Sequence, residues 1–208
     1  MLTNSLIHNT SIIKILLEHK IKNGSVVVDA TMGNGNDTLF LCQRALPKGK
    51  VYAFDIQKAA LKQTRALLKN HQYNQEINPN IHCINDSHEN FEQYISESVD
   101  AFMYNLGYLP GSNKSITTRP ESTINSLKSA ISLLKVGGII SIVIYYGHPV
   151  GNIEKQAIEV FLDTLSNKNF KIFQGSMPYN DHCPPIIYLI EKFKEINHSK
   201  EDFDVKTS

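Results

Sequence analysis

The chain has 208 residues, 41% hydrophobic and 20% charged, which suits one domain with small decorations and is too apolar for a disordered chain. No apolar run approaches ~18 residues, which excludes a membrane-spanning helix. The net charge of +1 points to no particular partner, but it is unevenly spread: residues 1–75 carry +6, 76–108 carry −6, 109–175 carry +3 and 176–208 carry −2. A nucleic-acid partner would be held by local basic surface and not by a general cationic field; the competing reading is ordinary solvated helix faces. Cys42, Cys83 and Cys183 are far apart and form no CxxC motif, the pattern of reduced thiols in the cytoplasm. A zinc site would need His82-Cys83 and His182-Cys183 to converge in space, and no metal is expected.

The N-terminal segment around Leu6, Ile13 and Leu17 reads as an amphipathic helix and not a signal peptide, because polar residues interrupt it every few positions. SVVVDA (25–30) is a β-branched run suited to a strand buried on both faces, followed by a helix over 37–46. KVYAFD (50–55) is a second strand. A helix over 57–72 aligns Ala60, Leu61, Thr64, Leu68 and His71. IHCI (81–84) and VDAFMYN (99–105) are strands, with a helix over 89–97 between them. Thr118-Arg119-Pro120-Glu121 reads as a capping box before a helix carrying Ile124, Leu127, Ile131 and Leu134, and Gly137-Gly138 is expected to stop that helix. IISIVIYY (139–146) is the most apolar strand and should be central. A helix over 151–166 aligns Ile153, Ala157, Phe161 and Leu165, and strands near 170–176 and 185–193 follow.

Strands alternating with helices give a parallel α/β sheet covered on both faces. The last two strands are joined by SMPYNDHCPP without a helix, so they should form an antiparallel hairpin at one edge. A mostly parallel seven-stranded sheet ending this way is the architecture of class I S-adenosylmethionine (SAM) methyltransferases, a Rossmann-like fold. One domain over 1–195 and a polar tail over 196–208 are expected.

The strongest local signal runs from Val28 to Asp37. Asp29 ends a buried strand, and Gly33 and Gly35 let the chain turn and approach a ligand before a helix opens. Thr31 stands where many such enzymes have a first glycine. Thr38 stands where a dinucleotide-binding turn has its third, which argues against nicotinamide cofactors. Asp55 ends the second strand, where a carboxylate accepts hydrogen bonds from both ribose hydroxyls; Ile56 is placed to pack on an adenine and Gln57 to add a polar contact. Asp86 and Ser87 are candidates for the adenine amino group, with His88 lining the pocket; the alternative is that Asp86 or Ser87 caps the helix behind it.

Asn105-Leu106-Gly107-Tyr108 follows the fourth strand, where amino-group methyltransferases carry Asn/Asp-Pro-Pro-aromatic. Asn105 and Tyr108 match its ends, and Leu106 and Gly107 replace the prolines. The Asn105 side-chain oxygen and the Leu106 carbonyl would accept the target N–H groups, and Tyr108 would stack on the substrate base. Tyr145, Tyr146 and His148 after the fifth strand, with Tyr179, Asp181 and His182 before the last, are candidates for the acceptor entrance.

Together DATMGNGNDT, the AFDIQ strand end, NDSHEN and NLGYLPG resemble the small bacterial proteins of the YtqB-like or MnmM family, long labelled rRNA methylases. The resemblance spans about 1–193. It implies SAM-dependent N-methylation of 5-aminomethyl-2-thiouridine at the wobble position of tRNA, hence an anticodon stem-loop as partner. It carries cofactor contacts to Asn34, Asn36, Asp37, Asp55, Gln57, Ser87 and His88. On that reading, Lys114 and Arg119 are the cations nearest the active-site mouth. A homodimer is compatible with the sequence and not specified by it. Two other readings stay open: a methyltransferase of rRNA or a small amine, and a non-catalytic nucleotide-binding module.

Overall fold

The computed structural model describes residues 9–74, 76–107, 117–147, 149–176 and 183–196. Seven strands make one sheet: β1 (Val26–Asp29), β2 (Lys50–Phe54), β3 (Ile81–Ile84), β4 (Val99–Leu106), β5 (Leu134–Ile144), β6 (Phe170–Ser176) and β7 (Ile186–Lys192). Their order is β3-β2-β1-β4-β5-β7-β6. β7 runs antiparallel to both of its neighbours, and every other pairing is parallel. The C-terminal hairpin is therefore an antiparallel edge element, as expected from the sequence. Five helices, α1 (Asn9–Glu18), α2 (Asn36–Ala45), α3 (Lys58–Asn70), α4 (Pro120–Leu133) and α5 (Pro149–Asp163), cover the sheet, with a short 3-10 helix at His88–Gln93. Among the described residues no helix is long and apolar enough to cross a membrane.

Alternation along the strands sends side chains into two separate cores. Val28, Phe54, Phe102, Tyr104, Ile140 and Ile142 face α4, α5 and the 3-10 helix. Val27, Val51, Ala53, Ala101 and Met103 lie with Ile13, Leu17 and Ile21 of the N-terminal segment and with Leu41 and Ala45 of α2. The chain steps outward from β1 to β2 to β3, then returns to β4 beside β1. That reversal opens a crevice at the C-terminal ends of β1 and β4, where α/β sheets bind ligands.

Five local expectations are corrected. The helix over 89–97 is a 3-10 helix that ends at Gln93. Thr118 does not cap α4: Arg119 is the N-cap with no side-chain bond, Pro120 opens the helix, and the Thr118 hydroxyl donates instead to buried Glu154 at 2.7 Å. Gly137-Gly138 do not stop α4, which ends at Leu133. They form an irregularity inside β5, where Val99 pairs with Leu134 but Ala101 pairs with Ile139. Gly137 there has φ +82, and a Cβ on Gly138 would lie 2.8 Å from Leu134 Cδ1. On α5 the buried face is Gly151, Glu154, Ile158, Phe161 and Leu162, so Ile153 is exposed. Burying Glu154 to satisfy two threonine hydroxyls turned the helix away from its most apolar stripe. On α3 the face is right except at His71, which lies past the helix end and is exposed.

Gly49, just before β2, sits at a close approach the sequence did not flag. A Cβ there would stand 2.1 Å from the Ser25 carbonyl oxygen and 2.6 Å from that of Ala45. Gly49→Ala must push two backbone segments apart, and chemical denaturation should show a loss of about 1–3 kcal/mol or more.

Candidate active site

Three aspartates meet at the sheet edge. Asp29 is wholly buried at the end of β1. Its Oδ1 accepts the Thr31 N–H at 3.1 Å and its Oδ2 the Thr38 hydroxyl at 2.6 Å, so it ties the start of the glycine turn to the first turn of α2. Burial, then the carboxylate of Asp37, pushes its pKa up to about 7. Asp29 thus braces the turn from beneath; it is wholly buried, and the contacts the structure gives its carboxyl are to the protein's own turn and helix.

The turn itself needs its glycines. Gly33 has φ +48 and Gly35 φ +84, both in the left-handed region. Gly35 is also pressed on α3, where a Cβ would lie 2.9 Å from Thr64 Cα. The Thr64 hydroxyl donates to the Gly33 carbonyl at 3.1 Å. Asn34 and Asn36 flank Gly35 and are exposed, facing outward as ligand contacts would.

Asp55 follows β2 and closes the other side. Its Oδ2 accepts the Gly33 N–H at 3.1 Å and its Oδ1 the Gln57 N–H at 2.9 Å. Each oxygen keeps a lone pair for another donor, the arrangement a ribose diol requires. Burial raises its pKa. Ile56 beside it is 58% exposed, an apolar side chain left open next to the diol position.

The β3 end is more structural than expected. Asp86 accepts from the Ser87 N–H at 2.7 Å, Asn90 Nδ2 at 3.0 Å and the Tyr94 hydroxyl at 2.8 Å. Although burial opposes ionisation, these three bonds hold its carboxyl below the ordinary range. Ser87 caps the 3-10 helix by accepting the Glu89 N–H, so capping is what the structure shows for this pair. His88 is buried edge-on to the Tyr104 ring at 6.0 Å. Burial lowers its pKa to about 4, and its Nδ1 has no partner.

Asn105 sits at the mouth of the crevice. Its backbone N–H donates to Thr31 Oγ1 at 2.8 Å. That bond gives Thr31 its reason to replace a glycine: the residue has negative φ and its hydroxyl links the β1 turn to β4. The Asn105 Nδ2 donates to Asp37 Oδ2, and Asp37 Oδ1 is paired with Lys14 of α1 at 2.7 Å. The Asn105 Oδ1 is buried with no hydrogen-bond partner among the described residues. The Leu106 side chain is wholly buried; its carbonyl accepts the Tyr145 N–H at 3.3 Å, which leaves one lone pair. Tyr145 is 39% exposed near Asp37, and burial of part of the ring, then that carboxylate, raises its pKa.

Gly107 and Thr118 are joined by two bonds of 3.1 Å. Tyr108 and Lys114 lie outside the described residues, as do His148, Tyr179, Asp181 and His182. Arg119 is exposed beside Thr118. Tyr146 packs partly into the core with Lys155 Nζ 5.6 Å from its ring centre. A Cβ on neighbouring Gly147 would stand 3.7 Å from Cys183 Cβ, so the loops after β5 and before β7 do meet. Among the described residues no cluster could hold a metal ion. Sequence reasoning missed Lys14, Thr64 and Glu154. Lys14 is one of several lysines on polar helix faces, and nothing in its spacing marks it.

The sheet order, the glycine turn and a strand-end carboxylate with two open acceptor positions define a class I SAM-dependent methyltransferase. A sequence model of the family described as "Putative rRNA methylase" matches residues 51–191, and the chain belongs to that family. It is 35% identical over 190 residues to the tRNA (mnm(5)s(2)U34)-methyltransferase, chloroplastic, of Arabidopsis thaliana, covering 88% of this chain and 69% of that protein. The crystal structure of a "putative rRNA-methylase" from Clostridium thermocellum superposes with a TM-score of 0.85 at 40% identity, covering 90% of this chain and 99% of that one. A "putative methyltransferase" from Streptococcus mutans, crystallised in complex with SAH, gives 0.79 at 35% identity over 90% and 99% of the two chains.

Asp29 supplies a pH test of this geometry. Its folded pKa, about 7, lies above the ordinary 3.8. Its contribution to stability is therefore fully present below about pH 4 and lost as the pH rises through about 7. Denaturation curves for Asp29→Asn should show a flatter fall in stability between about pH 4 and about pH 7 than the parent, since the amide keeps an acceptor for Thr31 and has no proton to lose.

Proposed function

We propose that this chain methylates the primary amine of 5-aminomethyl-2-thiouridine at the tRNA wobble position, giving 5-methylaminomethyl-2-thiouridine. The observation that carries the reading is Asn105 Oδ1, a buried acceptor left without a partner at the crevice between β1 and β4. An amine N–H is the group such an acceptor takes, and the Arabidopsis relative is named for this wobble methylation.

SAM, when bound, supplies an activated sulfonium methyl group. Asp55 fits its ribose hydroxyls, Ile56 its adenine, and the backbone of Gly33 to Gly35 its close approach. The protein's own task is positioning. Asn105 Oδ1 and the spare lone pair of the Leu106 carbonyl accept the two amine N–H groups and aim the nitrogen lone pair. Burial of this pocket disfavours the ammonium form and so keeps the amine nucleophilic. The extra proton leaves after transfer, so no strong base is needed. Tyr108 is assigned to stack on the extruded base, and Lys114 and Arg119 to hold phosphates of the anticodon arm.

RNA from a deletion strain, digested and analysed by mass spectrometry, should lack 5-methylaminomethyl-2-thiouridine and accumulate its unmethylated precursor in tRNA. A loss confined to rRNA would overturn the tRNA reading. With purified protein, Asp55→Ala should weaken SAM binding in calorimetry by about 1–3 kcal/mol through the lost ribose bonds. Asn105→Ala should lower the single-turnover rate at saturating SAM by about 2–4 kcal/mol of transition-state stabilisation with much less effect on SAM affinity.

A further inference from the structure

We infer that Lys14, on α1 and remote in sequence from every motif of the site, is a positioning residue that sets the orientation of the Asn105 amide through Asp37. The inference rests on the acceptor role given to Asn105 above. Asn105 can present either end of its amide to the amine, and only the Oδ1-inward orientation accepts an N–H. Asp37 decides between them. Its Oδ2 takes the Asn105 Nδ2, an arrangement a carboxylate imposes because it has no proton to donate. Its Oδ1 is paired with Lys14 at 2.7 Å, and Lys14 reaches the Asn36 carbonyl at 3.3 Å.

The need for the ammonium follows from crowding. The Asp37 side chain is 10% exposed, and its charge acts directly on buried Asp29. Lys14 is the cation paired with Asp37 among the described residues. Without it, the repulsion is relieved by rotation of Asp37 away from Asp29, which releases the Asn105 Nδ2 and leaves the amide free to turn its acceptor away from the amine. α1 is held in place for this task by Ile13 and Leu17, both buried in the same core as Met103 two residues before Asn105.

The test compares the parent with Lys14→Met and Lys14→Arg. Lys14→Met keeps an unbranched side chain and removes the ammonium, which pairs with Asp37 and lies 5.7 Å from the Phe40 ring centre. In single-turnover methylation of precursor tRNA, Lys14→Met should slow transfer about ten-fold or more while SAM affinity stays within about two-fold, and Lys14→Arg should recover most of the rate. The Asn105 side-chain amide signals in nitrogen-resolved NMR, assigned by their absence in Asn105→Ala, should move in Lys14→Met and return in Lys14→Arg. Parental turnover in Lys14→Met, or a rate loss that follows lost SAM affinity, would overturn the inference. If the parent transfers no methyl to tRNA, the proposed function fails, and the NMR comparison still decides the coupling: unmoved Asn105 signals in Lys14→Met refute it.

Discussion

The site depends on one buried carboxyl group. Asp29 lies at the end of a strand with no exposed surface, and it survives there because a backbone N–H and a threonine hydroxyl fill its two oxygens. Those two bonds fix the distance between the end of β1 and the first turn of α2. The glycine turn strung between them then has little freedom. Thr64 grips the Gly33 carbonyl from below and Asp55 grips the Gly33 N–H from the side. The ligand-facing backbone is thereby clamped by α3 and by the chain after β2, which explains why Gly35 has no room for a Cβ.

A second consequence is electrostatic. Three aspartates share one sheet edge, and the interactions that shift Asp29 include both Asp37 and Asp55. The protein places Lys14 against Asp37 and leaves Asp55 half-buried with two N–H donors. A nucleoside diol and a primary amine are both hydrogen-bond donors, and this edge is rich in acceptors. The chemistry the site accepts follows from that imbalance. Downstream, the Thr118 hydroxyl binds both Gly107 and Glu154, so the segment after Asn105 is anchored to α5 across the core.

Much of this was legible in the primary structure. The strand-turn-helix from Val28 to Asp37, the acid at the end of β2 and the helix-free final connection each carry a strong local signature, because backbone conformation there is set by glycine, by β-branched runs and by chain direction. The misreadings share a cause. Thr118 has the spacing of a capping residue, Gly137-Gly138 have the composition of a helix stop, and Ile153 has the period of a buried face. In each case a long-range partner took precedence: Glu154 for Thr118, the β4 pairing for the glycine pair, and the Thr118 and Thr123 hydroxyls for the rotation of α5.

The sequence by itself determined the fold class, the family and the strand ends at which chemistry sits, since these follow from periodicity and from motifs a few residues long. It also placed Asn105 and Asp55 correctly at the ends of β4 and β2. Only the tertiary structure decided that Asp29 is wholly buried beneath the turn, that Asp37 is paired with Lys14 and that Asp55 stays partly open, because the three are alike in type and differ in what surrounds them. It alone joined Lys14 to Asp37, and Asp37 to Asn105 68 positions later in the chain, leaving Asn105 Oδ1 without a partner. No local pattern encodes that relay, since it depends on α1 packing beside α2 and on β4 returning to lie next to β1.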